Sequence, residues 1–180
     1  MNDSCSQLQR IDPPGIPFIV DNPAKGPRQV QVSAIEAPNT EEGRMGIYTE
    51  AQILLVCVDV TSKRQQEGIM DRWDVELNGM TDLNQLRVLV GTKTDLRDHE
   101  DRESRARILN ENRDGEEDEV EYLTAEQGKQ LAKQMGAFAY VECSALSGDG
   151  LEEAWKTTAA AWLHEIDDLN KPLAHWCQIL

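Results

Sequence analysis

Three short apolar runs rich in β-branched residues, Ile53–Val60 (ILLVCVDV), Leu86–Gly91 (LRVLVG) and Phe138–Cys143 (FAYVEC), alternate with segments of helical period. That alternation restricts the chain to an α/β fold with a mostly parallel sheet. A fourth strand is expected at Gln29–Ile35, where Val30, Val32 and Ala34 alternate with Gln29, Gln31 and Ser33. The helical segments are Gln65–Met80, Thr124–Met135 and Leu151–Leu169. The first carries Ile69, Met70, Trp73 and Leu77 on one face. The second opens on a capping-box pattern, Thr124-x-x-Gln127, and stops at Gly136. The third sets Leu151, Trp155, Thr158/Ala159, Trp162, Ile166 and Leu169 at three- and four-residue steps. Residues 1–28 hold five of the seven prolines and read as an irregular, partly extended segment.

Charge narrows the function classes. A formal net charge of −15 argues against nucleic acid and against unaided binding to an anionic membrane, and favours neutral or basic protein partners. No basic, then apolar, leader opens the sequence, Asn2 excludes N-myristoylation, and the longest apolar run, Ile53–Val58, is too short to span a bilayer. Cys5, Cys57, Cys143 and Cys177 show no C-x-x-C or zinc spacing, and Cys57 and Cys143 read as small core residues. A reducing, cytoplasmic setting is expected.

In α/β folds ligands sit at the carboxyl ends of the strands. Two polar segments fall there. Gly91-Thr92-Lys93-Thr94-Asp95 leaves the second apolar run, and Glu142-Cys143-Ser144-Ala145-Leu146 leaves the third. The Asp95 carboxylate suits the N1 and N2 donors of guanine, and the apolar stem of Lys93 suits the face of a base. The backbone N–H of Ala145 suits the guanine O6, with the Ser144 hydroxyl bracing Asp95.

The order and spacing of these two motifs resemble the base-reading motifs of Rho-type members of the Ras superfamily. The run Gly91 to Asp98 resembles the Rho form of the first motif, and Tyr140 to Leu146 its partner. The acidic stretch from Asp98 to Glu121 stands where the Rho-specific insert lies, and Leu123-Thr124-Ala125-Glu126 resembles the start of the helix that follows. Upstream, Pro17-Phe18-Ile19-Val20-Asp21-Asn22 resembles the first switch. The resemblance implies a P-loop small-GTPase-like, three-layer α/β fold over residues 17–169, after an irregular segment 1–16 and before a tail 170–180. It implies guanine contacts at Thr92, Lys93, Asp95, Ser144, Ala145 and Leu146, and effectors or regulators of Rho type as partners.

The same resemblance marks what is not here. No G-x-x-x-x-G-K-[ST] occurs in the 180 residues, and with 16 residues ahead of Pro17 the first strand, phosphate loop and first helix are expected to be missing. Phe18 stands where the switch threonine would hold Mg²⁺. Glu36, Asn39 and Thr40 stand where the second switch would offer its aspartate, γ-phosphate glycine and catalytic glutamine. Glu36 keeps a carboxylate on a longer arm. A base pocket alone gives about 1–3 kcal/mol of discrimination, and about 4 kcal/mol corresponds to a Kd near 1 mM. GTP or GDP is therefore expected to bind weakly, Mg²⁺ not to bind, and hydrolysis to be negligible. A missing central strand would leave its neighbours without partners, so the remaining strands either close ranks or the chain is marginally stable.

The last four residues, Cys177-Gln178-Ile179-Leu180, fit C-a-a-X and suggest a prenyl anchor on Cys177 giving reversible membrane contact; Trp176 packing the tail onto the body is the alternative. Three readings stay open: a Rho-like signalling GTPase, a nucleotide-independent pseudo-GTPase that binds partners, and a shortened product of an otherwise active gene.

Overall fold

A computed structural model describes residues 16–22, 26–80, 85–98, 122–169 and 177–179. Six strands form one sheet in the order β1-β2-β6-β3-β4-β5. β1 (Ile16–Asn22) is antiparallel to β2 (Gly26–Ala34), while β2, β6 (Cys177–Ile179), β3 (Ile53–Asp59), β4 (Leu86–Thr92) and β5 (Ala139–Glu142) run parallel. The mixed α/β architecture with a mostly parallel sheet agrees with the expectation from alternation.

Helices cover both faces. On one lie α1 (Glu41–Glu50), the continuous helical run α2 (Lys63–Gly68), a wider π turn (Ile69–Asp74) and α3 (Val75–Met80), and α5 (Ala125–Gln134). A core of Tyr48, Leu54, Val56, Val58, Ile69, Leu77, Leu89 and Met135 joins them to the sheet. The short α4 (Thr94–Asp98) follows β4. On the other face lies α6 (Leu151–Leu169), the one helix on that side among the described residues. Ala159 and Leu163 meet Val30 and Val32, and Ala161 meets Ile53, Val88 and Val90. Even residues of β3 thus face one layer and odd residues the other, as a period of two requires.

The structure corrects several sequence expectations. Residues 16–22 form a regular strand within the stretch read as irregular and partly extended, and Pro17 is tolerated in β1 because it is the outermost strand among the described residues. α1 was not foreseen, since its inward residues Arg44, Ile47 and Tyr48 include a charge that blurs the apolar stripe. The buried stripe of α6 is Ala154, Thr158, Ala159, Ala161 and Leu163, with Trp155 and Trp162 half-buried at its flanks. Small residues occupy the closest approach to the sheet, and the indoles border it. Cys57 was read as core but is exposed, whereas Cys143 is buried. The segment Cys177–Ile179 lies within the sheet between β2 and β3, pairing Cys177 with Val32 and Ile179 with both Ala34 and Ile53. Most of the acidic stretch, residues 99–121, and the start of the chain, residues 1–15, lie outside the described residues.

The capping box at Thr124 forms as read: the Thr124 hydroxyl accepts from Gln127 N–H and the Gln127 side chain accepts from Thr124 N–H at 2.9 Å. Gly136 follows at φ +66°, the left-handed stop that favours glycine.

Candidate functional site

Because β3, β4 and β5 are parallel, their carboxyl ends converge on one edge of the sheet. β4 ends at Thr92, whose hydroxyl donates to Val58 O at 3.2 Å. Lys93 follows at φ +61°, a left-handed conformation costing a residue with a Cβ about 1–2 kcal/mol. The turn sends its Nζ to Asp59 Oδ2 at 2.7 Å. Lys93 is largely exposed, so this pair contributes little to stability, at most about 1 kcal/mol. Burial alone would raise the Asp59 carboxyl, but Lys93 and the Thr61 hydroxyl and N–H, at 2.7 and 2.9 Å from Oδ1, hold it below the usual carboxylate range.

Asp95 and Ser144 come together across the β4 and β5 loops. The fully buried Ser144 donates its hydroxyl to Asp95 Oδ1 at 2.5 Å. Ser144 Oγ in turn accepts from Leu146 N–H and Ser147 N–H, both at 3.2 Å. The bond orients the Asp95 carboxylate and engages one of its oxygens. The Ala145 N–H beside it donates to no group among the described residues. Leu146 is largely exposed. Lys93, Asp95, Ser144, Ala145 and Leu146, with Thr92 at the strand end, therefore lie on the two neighbouring loops at the carboxyl ends of β4 and β5.

A brace of side chains ties these loops together. Arg97 makes a bidentate pair with Glu142, 2.7 Å at each arm, and also donates to Leu123 O at 2.9 Å. The Tyr140 hydroxyl donates to the same carboxylate at 2.9 Å, and burial followed by that contact pushes its pKa upward. The phenol ring fits between Gly91 and Gly128, at either of which a Cβ would overlap it. Gly150 closes the second loop at φ +72°, where a Cβ would meet the Glu142 carbonyl.

The residues matched to the switches are elsewhere engaged. Phe18 lies in β1 opposite Val30. Thr40 is the N-cap of α1, its hydroxyl accepting from Gly43 N–H at 3.3 Å. Asn39 gives its carbonyl to Arg44 at 2.9 Å, and Glu36 is exposed after β2. Arg44 is buried and fixes this loop to α3. It forms a bidentate pair with Glu76 at 2.6 and 2.8 Å, lies over the Trp73 ring at 5.2 Å, and shares Glu76 with the Tyr48 hydroxyl at 2.6 Å. The Arg44 guanidinium, assisted by Tyr48, holds Glu76 below the ordinary range against the opposing effect of burial. Burial and the bond to Glu76 push Tyr48 up to about 12.

These shifts fix a sign. Glu76 and Asp59 titrate lower in the folded chain than in the unfolded one. Their contribution is therefore complete above the ordinary carboxylate pKa of about 4 and lost as pH falls through the folded values. Tyr48 is the reverse: its contribution is complete below about 10, its ordinary value, and is lost as pH rises toward the folded value. Thermal melts should show a midpoint nearly flat between these limits and falling steeply in acid below about pH 4. A midpoint unchanged down to about pH 2 would contradict the assignment.

Sequence reasoning missed Asp59, Glu142 and Arg97. Asp59 carried a signal, being the one charge in the run Ile53–Val60; the Arg97–Glu142 pair spans 45 residues, too far for any local pattern. Among the described residues no cluster of His, Cys, Asp or Glu is placed to hold a metal.

Known proteins resemble this chain over most of its length. A family model described as the Ras family matches residues 41–164. The chain is 34% identical over 112 residues to the Rho-related GTP-binding protein RhoD of Homo sapiens, covering 62% of this chain and 49% of that protein. It is 29% identical over 133 residues to the GTP-binding protein rho2 of Schizosaccharomyces pombe, covering 74% of this chain and 62% of that one. The chain thus spans only about half to three-fifths of these relatives. Phe18, Glu36, Asn39 and Thr40 all precede the matched segment.

Proposed function

Because this chain belongs to the Ras family and its relatives are Rho-type, we propose that its 180 residues form a signalling module that keeps the guanine-reading half of a nucleotide site without the phosphate-binding half. The observation that carries the reading is the Ser144–Asp95 bond beside the open Ala145 N–H. Asp95 receives the guanine N1 and N2 donors, Ala145 donates to O6, and the Lys93 stem, tethered by Asp59, lies along the base. An adenine offers the opposite donor–acceptor pattern at Asp95 and is rejected. GTP or GDP fits this donor set at the base alone.

The residues do not fit phosphates and Mg²⁺. Thr40 caps a helix, Asn39 gives its carbonyl to Arg44, and no phosphate-loop motif occurs in the sequence. Without those contacts affinity falls to the order of 1 mM. The working mode is then recognition of effector- or regulator-type proteins rather than hydrolysis. Titration with fluorescent GDP and GTP, with and without Mg²⁺, should show no sub-micromolar binding, and chromatography should show no turnover above buffer. Tight, Mg²⁺-dependent binding would overturn the reading and restore a working GTPase. Lipidation of Cys177 requires β6 to leave the sheet, so membrane contact belongs to a different state from the one described.

A further inference from the structure

Asp59 and Lys93 meet at the ends of adjacent strands. Asp59 closes β3, Lys93 follows β4, and the left-handed turn at Lys93 carries its Nζ to Asp59 Oδ2 at 2.7 Å. The other polar atoms of Asp59 are held as well. Oδ1 accepts from the Thr61 N–H and hydroxyl, the backbone N–H donates to Gln65 Oε1 at 2.9 Å, and the carbonyl accepts from Ser62 N–H at 3.1 Å. Burial opposes the charge on Asp59, but Lys93 and Thr61 outweigh it and keep the carboxylate ionised. A fixed, buried anion thus lies beneath an exposed ammonium.

This pair lies to one side of the base contacts. The guanine edge bearing N1, N2 and O6 faces Asp95 and Ala145 on the β4 and β5 loops. N9, with its sugar and phosphates, is then on the opposite side of the ring. In the sheet β3 flanks β4 on the side away from β5, and Asp59 ends it. A phosphate directed toward β3 meets a lysine whose charge is already matched, beside a carboxylate that repels it. Arg97, the next cation along the chain, is committed to Glu142 by both arms.

We propose, resting on the base-reading role of Asp95 and Ser144, that Asp59 is a specificity-determining residue. By holding the Lys93 ammonium it biases the site toward the uncharged nucleoside and against its phosphates. Specificity is a difference of affinities, and like charge set against the competitor is one way to create it.

The test titrates guanosine and GDP separately, in low salt without Mg²⁺, against the full chain and its Asp59→Asn and Asp71→Asn variants. Asparagine at position 59 keeps an oxygen for Thr61 and sets an uncharged amide against Lys93. Asp71→Asn removes the same charge from an exposed position farther along the helical run that follows β3. Asp59→Asn should raise the preference for GDP over guanosine about threefold or more relative to the parent, and about 0.5 M salt should erase the gain. Asp71→Asn should keep the parent's preference. Without ligand, lysine side-chain NMR should find Lys93 more ordered than the exposed Lys129 in the parent, and as mobile as Lys129 in Asp59→Asn. With guanosine bound, an unchanged preference in Asp59→Asn or an equal gain in Asp71→Asn overturns the role of Asp59 and leaves base reading intact. So does a parent Lys93 as mobile as Lys129, a measurement that needs no variant. Guanosine that fails to bind the parent overturns base reading itself, and this role of Asp59 with it.

Discussion

Replacing Glu76 with leucine lowers unfolding free energy by about 3 kcal/mol, because it leaves the buried Arg44 without its anion. The loss falls at the lower end of the range for broken buried pairs. Arg44 keeps its bonds to the Pro38 and Asn39 carbonyls, at 3.3 and 2.9 Å, and its place over Trp73. The double substitution Arg44→Met with Glu76→Leu recovers stability to within about 2 kcal/mol of the parent, the remainder being the cost of leaving the Tyr48 hydroxyl and the Pro38 and Asn39 carbonyls without their partners. Urea denaturation of the two variants measures both values. The contrast separates a buried charge from a merely large side chain. If the single variant is as stable as the parent, the loop before α1 is held by something other than this cluster. The cluster ties that loop and α1 to α3, so its loss frees the surface on which Glu36, Asn39 and Thr40 lie.

Substituting alanine at Gly150 costs about 3 kcal/mol, of which about 1–2 is the left-handed backbone and the rest the displacement of a strand end. The new Cβ would meet the carbonyl of Glu142, a backbone atom that moves only if β5 moves with it. Gly148→Ala is the control. That residue sits at φ +85° with open space around it, so it carries the conformational cost alone, about 1 kcal/mol. Because Gly150 closes the loop holding Ser144 and Ala145, its variant should also lose whatever guanine recognition the parent has. Chemical denaturation ranks the two alanines, and equal effects would contradict the close approach.

The sheet was legible from the sequence wherever a strand is enclosed by both layers. Ile53–Asp59, Leu86–Thr92 and Ala139–Glu142 are apolar for a reason that does not depend on distant partners. β1 and β6 were not legible. Each is a strand through pairing with β2, a tertiary effect that overrides the proline content of one and the tail-like composition of the other. α1 escaped notice because its inward face holds Arg44, a charge whose anion, Glu76, lies 32 positions away. The Asp95–Ser144 contact could be anticipated from two motifs on neighbouring strands, whereas the Arg97–Glu142–Tyr140 brace beneath them needed coordinates. Cys57 was misread because an apolar run does not reveal which of its positions the packed helices leave uncovered.

Saturation-transfer NMR, with guanosine, GDP and adenosine titrated separately against the intact chain, tests the central claim most directly. A site that reads the base and not the phosphates binds guanosine and GDP alike, within a few-fold and near the millimolar range, and does not bind adenosine. A gain of about tenfold or more from the two phosphates, equivalent to about 1.4 kcal/mol, would show that the chain retains a phosphate site. That result would contradict the account.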